Sequence, residues 1–301
     1  MSKRGEIIMI DAHFHLDETM ISLSNLITSM NDAGIERAAL IPALCPPITL
    51  PIWANSIMPI LQWFLHQDGG PLHQIALWIY DNTVKKNGMV DVFGAEYPII
   101  DNPNNDLVIQ AIAKYPQRFL GYVFVNPKGP SDPMNELERL MVKPGIIGVK
   151  AHPYWHNYSI ELLTTVADYC ETNECPMLIH LGTGDKGDFR LLPERFPKLK
   201  VIYAHAGVPY VNQVCEYARE NRNVYIDLSG SVFINASMIS KAIQKAGPDK
   251  CIFGTDGPYF HIDNNRFNYK RFTQIIKNIG LEPNAYRQIV NDNFLALTHI
   301  K

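Results

Sequence analysis

Short runs of apolar residues alternate with longer stretches of helical periodicity along the whole chain. Candidate strands fall at Ile7 to His15, Ala38 to Pro42, Phe119 to Asn126, Ile146 to His152, Pro176 to Leu181, Val201 to His205, Val224 to Leu228 and Cys251 to Asp256. Helical stretches lie between them at Ser24 to Ala33, Leu107 to Tyr115, Asn135 to Val142, Ile160 to Thr172, Val211 to Asn221 and Ser237 to Lys245. Each has roughly the length of a crossover helix, and the alternation is that of βα units around a parallel sheet. Eight strands with right-handed crossovers can close on themselves, whereas an open sheet of that size usually carries a nucleotide fingerprint at its first turn. Here the first strand ends in histidines, so the pattern predicts an α/β fold of the (β/α)8 TIM barrel type.

One connection breaks the rhythm. Ala43 to Arg118 separates the second and third strands and holds three tryptophans, Trp53, Trp63 and Trp78. The chain therefore reads as one barrel domain over residues 1–301 with an insertion at about 43–118. Such an insertion shapes a pocket or a subunit contact, the latter giving a homo-oligomer. Ala38 to Gln67 carries no charged side chain, but five prolines, Pro42, Pro46, Pro47, Pro51 and Pro59, interrupt it. It reads as a Pro-broken loop leading into a short helix, not a membrane span.

Composition narrows the partners. With 47% hydrophobic and 19% charged residues the chain has the make-up of an ordinary globular protein, and its net charge of −3 supplies no basic surface for nucleic acid. A small-molecule substrate is the expected partner. The five cysteines form no CxxC pair and are odd in number, which argues against a disulfide framework and fits a reducing cytoplasm. The apolar run at the amino terminus is too short for an export signal.

Chemistry gathers where the strands stop. Side chains alternate along a strand, so His13 and His15 share one side while Phe14 faces away, and both can reach one ion. Other strands end in Gly148-Val-Lys150-Ala-His152-Pro, Met177-Leu-Ile-His180, Ile202-Tyr-Ala-His205-Ala-Gly and Ile252-Phe-Gly-Thr-Asp256-Gly-Pro. Any one of these is most simply a polar residue hydrogen-bonded at a loop entrance. Five together, on the carboxyl face where barrel enzymes keep their chemistry, point to a site. Gly182-Thr-Gly-Asp-Lys-Gly187 matches a dinucleotide fingerprint, but no uninterrupted helix follows it, so it reads as a loop near the pocket.

In this order the motifs resemble the amidohydrolase superfamily, in particular its amidohydrolase-related group, which contains both decarboxylases and lactonases. The resemblance runs from Asp11-Ala-His13-Phe-His15 to Asn291-Asp-Asn-Phe-Leu-Ala-Leu. It implies metal ligands at His13, His15, His180 and Asp256, with His205 as a nearby acid or base and Asp256 also accepting a proton. Three imidazoles and a carboxylate suit Zn2+ and leave room for a water whose pKa falls to about 7. Lys150 and His152 are placed as substrate contacts, with a buried ion pair as the plainer role for Lys150. The first expectation is hydrolysis of an amide, lactone or related ester through a metal-activated water. Decarboxylation of a small carboxylic acid on the same site is the alternative, set second because no arginine is placed to hold a polyacid. A scaffold with a purely structural metal is a third reading, against which the base candidates His205 and Asp256 count, since a structural site would not require them.

Overall fold

All eight predicted strands form. They are β1 (Met9–Leu16), β2 (Ile35–Pro42), β3 (Phe119–Val125), β4 (Ile146–Ala151), β5 (Met177–Ile179), β6 (Val201–Tyr203), β7 (Val224–Asp227) and β8 (Cys251–Ile252). Each pairs in parallel with the next in chain order. Beyond the end of β8 the backbone returns to β1: Ala12 N donates to Phe253 O at 3.0 Å, Asp256 N to His13 O at 2.8 Å and His15 N to Gly257 O at 2.7 Å. These bonds close the (β/α)8 TIM barrel in this computed structural model, which describes residues 7–300 apart from 68, 231 and 260. The amino-terminal residues 1–6, on which the reading of an absent export signal partly rested, lie outside that range.

Two apolar layers follow from this closure. Ile10, Ala12, Ala39, Ile41, Leu120, Tyr122, Ile202 and Ile252 fill the barrel. The opposite faces of the strands, with Phe14, Leu40, Val123, Val149, Ile179 and Ile226, pack against surrounding helices. Helix α1 (Leu23–Ala33) shows how local sequence sets the edges of those helices. Ser22 caps its first turn by accepting from Asn25 N at 3.3 Å, and Gly34 ends it in the left-handed region at φ 76°.

The insertion is more ordered than its prolines suggest. It forms α2 (Ala54–Leu65), α3 (Gly70–Asn82), a short hairpin of Met89–Val92 with Ala95–Pro98, and α4 (Asn105–Lys114). Pro59 stands inside α2, where the sequence predicted only a short helix after a broken loop. Its missing N–H costs one helical bond, set against the burial of Ala54 and Leu65 on the inner side of the helix. Both α2 and α3 are apolar on two faces, for Ile60 is 53%, Trp63 50% and Trp78 67% exposed. Among the described residues no helix is long and apolar enough to cross a membrane.

Candidate metal centre and active site

A one-residue bulge prepares the site. Asp11 pairs with Ala38 but Phe14 with Leu40, so β1 carries one residue more than its partner between those points. Ile10 and Ala12 point into the barrel; after the extra residue His13 and His15 also point inward, and Phe14 goes to the outer core. Bulges re-aim side chains in this way beside active sites.

The two imidazoles are held alike. His13 Nδ1 lies 2.8 Å from Asp227 Oδ2, and His15 Nδ1 lies 3.2 Å from Pro42 O. Both partners are acceptors, so both Nδ1 atoms carry the proton and both Nε2 atoms keep a lone pair. Those lone pairs converge on one carboxylate: His13 Nε2 is 3.3 Å and His15 Nε2 3.4 Å from Asp256 Oδ1. A charge-assisted hydrogen bond would close to about 2.8 Å. Three donors about 2.1 Å from a common tetrahedral ion stand about 3.4 Å apart, which is the spacing of each imidazole from the carboxylate here. His13, His15 and Asp256 thus form a donor set that fits a divalent cation. Burial alone would raise the Asp256 carboxyl, but His205, His15 and His13 outweigh it and keep the group ionised.

In a second group, His13, His205 and Asp227, His13 bonds Asp227 directly and Ser229 links His205 to both. Burial raises the Asp227 carboxyl, but His13 pulls it down to about 2, so it is a carboxylate that fixes the His13 tautomer. One set of neutral tautomers, assigned from the network, satisfies the remaining contacts except that of His205 Nδ1 with Ser229 O at 3.2 Å. Ser229 Oγ donates to His205 Nδ1 at 3.0 Å, and His205 Nε2 donates to His180 Nδ1 at 3.2 Å. His180 Nε2 then donates to Tyr80 Oη at 2.9 Å, and Tyr80 Oη to Leu181 O at 3.0 Å. Burial lowers the pKa of both His180 and His205, which suits the neutral rings. His205 Nε2 stands 3.9 Å from Asp256 Oδ2.

The structure brings the predicted site residues to one end of the barrel in different roles. His180 stands outside the three-donor cluster, between His205 and Tyr80. Lys150 is wholly buried, with Nζ 3.4 Å from His13 Nε2, and burial brings its ammonium down to about 8. His152 lines the cavity; its Nδ1 accepts from Trp155 N at 3.1 Å, which leaves the ring proton on Nε2. Backbone strain marks His205 and Asp256, which sit at φ 55° and 61° although neither is glycine. Gly230 gives His205 its space, since a Cβ there would stand 2.4 Å from the ring.

Sequence reasoning missed Asp227, Ser229 and Tyr80. Asp227 is the one charged residue in its strand, which was a usable signal; Tyr80 comes from an insertion helix and has no spacing relation to the barrel. Above these groups a cavity of about 380 Å³ opens between the barrel mouth and the insertion. Helix α3 is clamped there by Asp81, which accepts from Thr183 Oγ1 at 2.5 Å and Lys186 Nζ at 2.7 Å. The glycine-rich segment after β5 thus anchors the cavity roof.

A family model described as amidohydrolase matches residues 10–293 of the chain. The γ-resorcylate decarboxylase of Polaromonas sp. (strain JS666 / ATCC BAA-500) is 23% identical over 217 residues, 53% of this chain and 66% of that relative's length. The 5-carboxyvanillate decarboxylase from Sphingomonas paucimobilis superposes with a TM-score of 0.60 at 15% identity, over 98% of this chain and all of the other. A probable 2-pyrone-4,6-dicarboxylic acid hydrolase from Acinetobacter baumannii, crystallised with citric acid, gives 0.58 at 16% identity, over 97% and 99%. At these identities the structural likenesses establish the shared fold.

Proposed function

The chain belongs to the amidohydrolase family, and we propose that it is a metal-dependent, non-oxidative decarboxylase of an aromatic carboxylic acid. Hydrolysis, which the sequence alone puts first for want of an arginine, becomes the second reading. One observation carries the change. Among the described residues the cavity over His15 and Asp256 is lined by apolar and aromatic side chains with no lysine or arginine. Decarboxylation asks only that one carboxylate be held near the metal while its charge passes to the ring carbon as neutral carbon dioxide leaves, and a dry apolar wall suits that. The similarity to two decarboxylases of ring carboxylates supports the same reading.

A divalent ion held by His13, His15 and Asp256 would supply a Lewis acid for substrate oxygen, whereas His180, the further ligand the resemblance implies, has both ring nitrogens engaged by His205 and Tyr80. Zinc is the proposed ion, and the mixed nitrogen and oxygen donors also suit manganese. Asp227 and Pro42 O hold His13 and His15 in the tautomer that offers Nε2. His152, protonated on Nε2, donates to the substrate carboxylate. The bond to that carboxylate breaks, carbon dioxide leaves and the electron pair stays on the ring carbon. His205, with Nε2 3.9 Å from Asp256 Oδ2, takes a proton from solvent beside that carboxylate and passes it to the ring carbon. Lys150, beneath His13, balances the charge of the carboxylates around it.

The test is release of labelled carbon dioxide from a panel of 2-hydroxybenzoates by metal-loaded protein, beside a panel of lactones and aryl esters. Carbon dioxide release that falls at least 100-fold in His205→Asn, at unchanged metal content, is the expected result. Turnover of lactones or esters without carbon dioxide release would overturn it in favour of hydrolysis.

A further inference from the structure

The cavity says more about the substrate than its headgroup. Engineered cavities of about 150 Å³ already hold benzene. Here the space is about 380 Å³, so a bare single ring would leave more than half of it empty. Its far wall is aliphatic, built from Met58, Leu61 and Leu65 of α2 and Ala76 and Ile79 of α3, while Phe233 after β7 stacks on His205 at 4.8 Å.

The polar side chains of that wall are engaged with the protein itself. Tyr80 Oη donates to Leu181 O, Tyr154 Oη to Tyr80 O at 2.6 Å, and Thr83 Oγ1 to the same carbonyl at 2.9 Å. Leu44 N donates to Tyr259 Oη at 3.0 Å. The Gln62 amide donates to Val232 O at 3.0 Å and accepts from Asn235 Nδ2 at 3.2 Å. Asp91, a carboxylate of the wall away from the metal centre, is paired with Lys85 at 3.2 Å. Lys85 beside the wall is already paired with Asp91, so a second charge set against α2 and α3 would meet no free counter-ion.

We infer that the substrate carries a single metal-directed oxygen headgroup on an uncharged apolar body larger than one ring, such as an alkyl- or aryl-substituted aromatic acid. This rests on the proposed headgroup site at His13, His15 and Asp256. The body lies against α2 and α3, and dicarboxylates are excluded by the lack of a cation rather than by size. Each methylene buried against this wall tightens binding about fourfold, the equivalent of ~0.8 kcal/mol.

Binding, not turnover, tests it. Metal-loaded protein is titrated calorimetrically with benzohydroxamate, 4-butylbenzohydroxamate and 4-carboxybenzohydroxamate, which share one metal-directed head. The butyl compound is expected to bind at least tenfold more tightly than the parent and the carboxy compound at least tenfold more weakly. In Ala76→Phe, which fills the far wall, the butyl-to-parent ratio should fall below three; Leu61→Trp serves if that variant does not fold. Equal affinities across the series, or a preference for the carboxy compound, overturn the inference. A failure to release carbon dioxide would remove the decarboxylase reading and leave these ratios standing.

Discussion

Asp227 touches no cavity, yet the metal-directed face of His13 depends on it. Its Oδ2 fixes the Nδ1 proton at 2.8 Å, and its Oδ1 accepts from Ser229 N at 2.6 Å. In Asp227→Asn the amide can donate to His13 Nδ1, which favours the tautomer with its proton on Nε2. Metal affinity should fall 10- to 100-fold while the barrel stays folded, as measured by chelator competition and circular dichroism. Unchanged affinity would mean that the tautomer is set elsewhere. This residue also marks how far sequence can see. His13 and His15 were legible because strand alternation relates them at a fixed spacing. Their relation to Asp227 is made by barrel closure across more than 200 positions, for which no spacing exists. The bulge before His13 was hidden as well, since Ile10, Ala12, His13 and His15 facing one interior violates the simple period of two.

The element that decides access is the α2–α3 hairpin. The barrel strands were readable because runs such as Phe119–Val125 are buried on both faces and flanked by helices. The hairpin was not, because an uncharged segment with prolines fits a loop as well as a helix, and only its packing on the mouth chooses. That packing has a pH dependence. His66 at the end of α2 lies with Nε2 3.3 Å from Phe233 O, and burial lowers its pKa from 6.5 to about 4. A ring that resists protonation when folded but accepts it when released stabilises the closed hairpin fully above pH 6.5. That stabilisation is lost as the pH falls toward 4, by about 1.4 kcal/mol per unit at most. Amide exchange in residues 54–82 should therefore quicken between pH 6.5 and 4 relative to the barrel strands. His66→Gln should flatten that difference; an equal acceleration in the variant would assign it to another group.

At the scale of the whole molecule, the metal-directed end of β1 is also the closing edge of the barrel. His13 O and His15 N bond across to the chain after β8, and between them Phe14 packs edge-on against Phe267 at 5.2 Å. Phe14→Ala should cost about 3–5 kcal/mol, read from the denaturation midpoint, and should weaken metal binding at the same time because the seam and the ligands share a backbone. Loss of stability with metal affinity intact would show the two to be separable. The distribution of one residue type has a different use. All four tryptophans, Trp53, Trp63, Trp78 and Trp155, belong to the insertion or the cavity wall, and none lies in a barrel strand. The protein's tryptophan emission therefore originates at the mouth and not in the barrel strands. Occupancy of the cavity can be followed by intrinsic fluorescence without a label. A heating curve recorded by the same emission reports the roof letting go, while one recorded by far-ultraviolet dichroism reports the barrel.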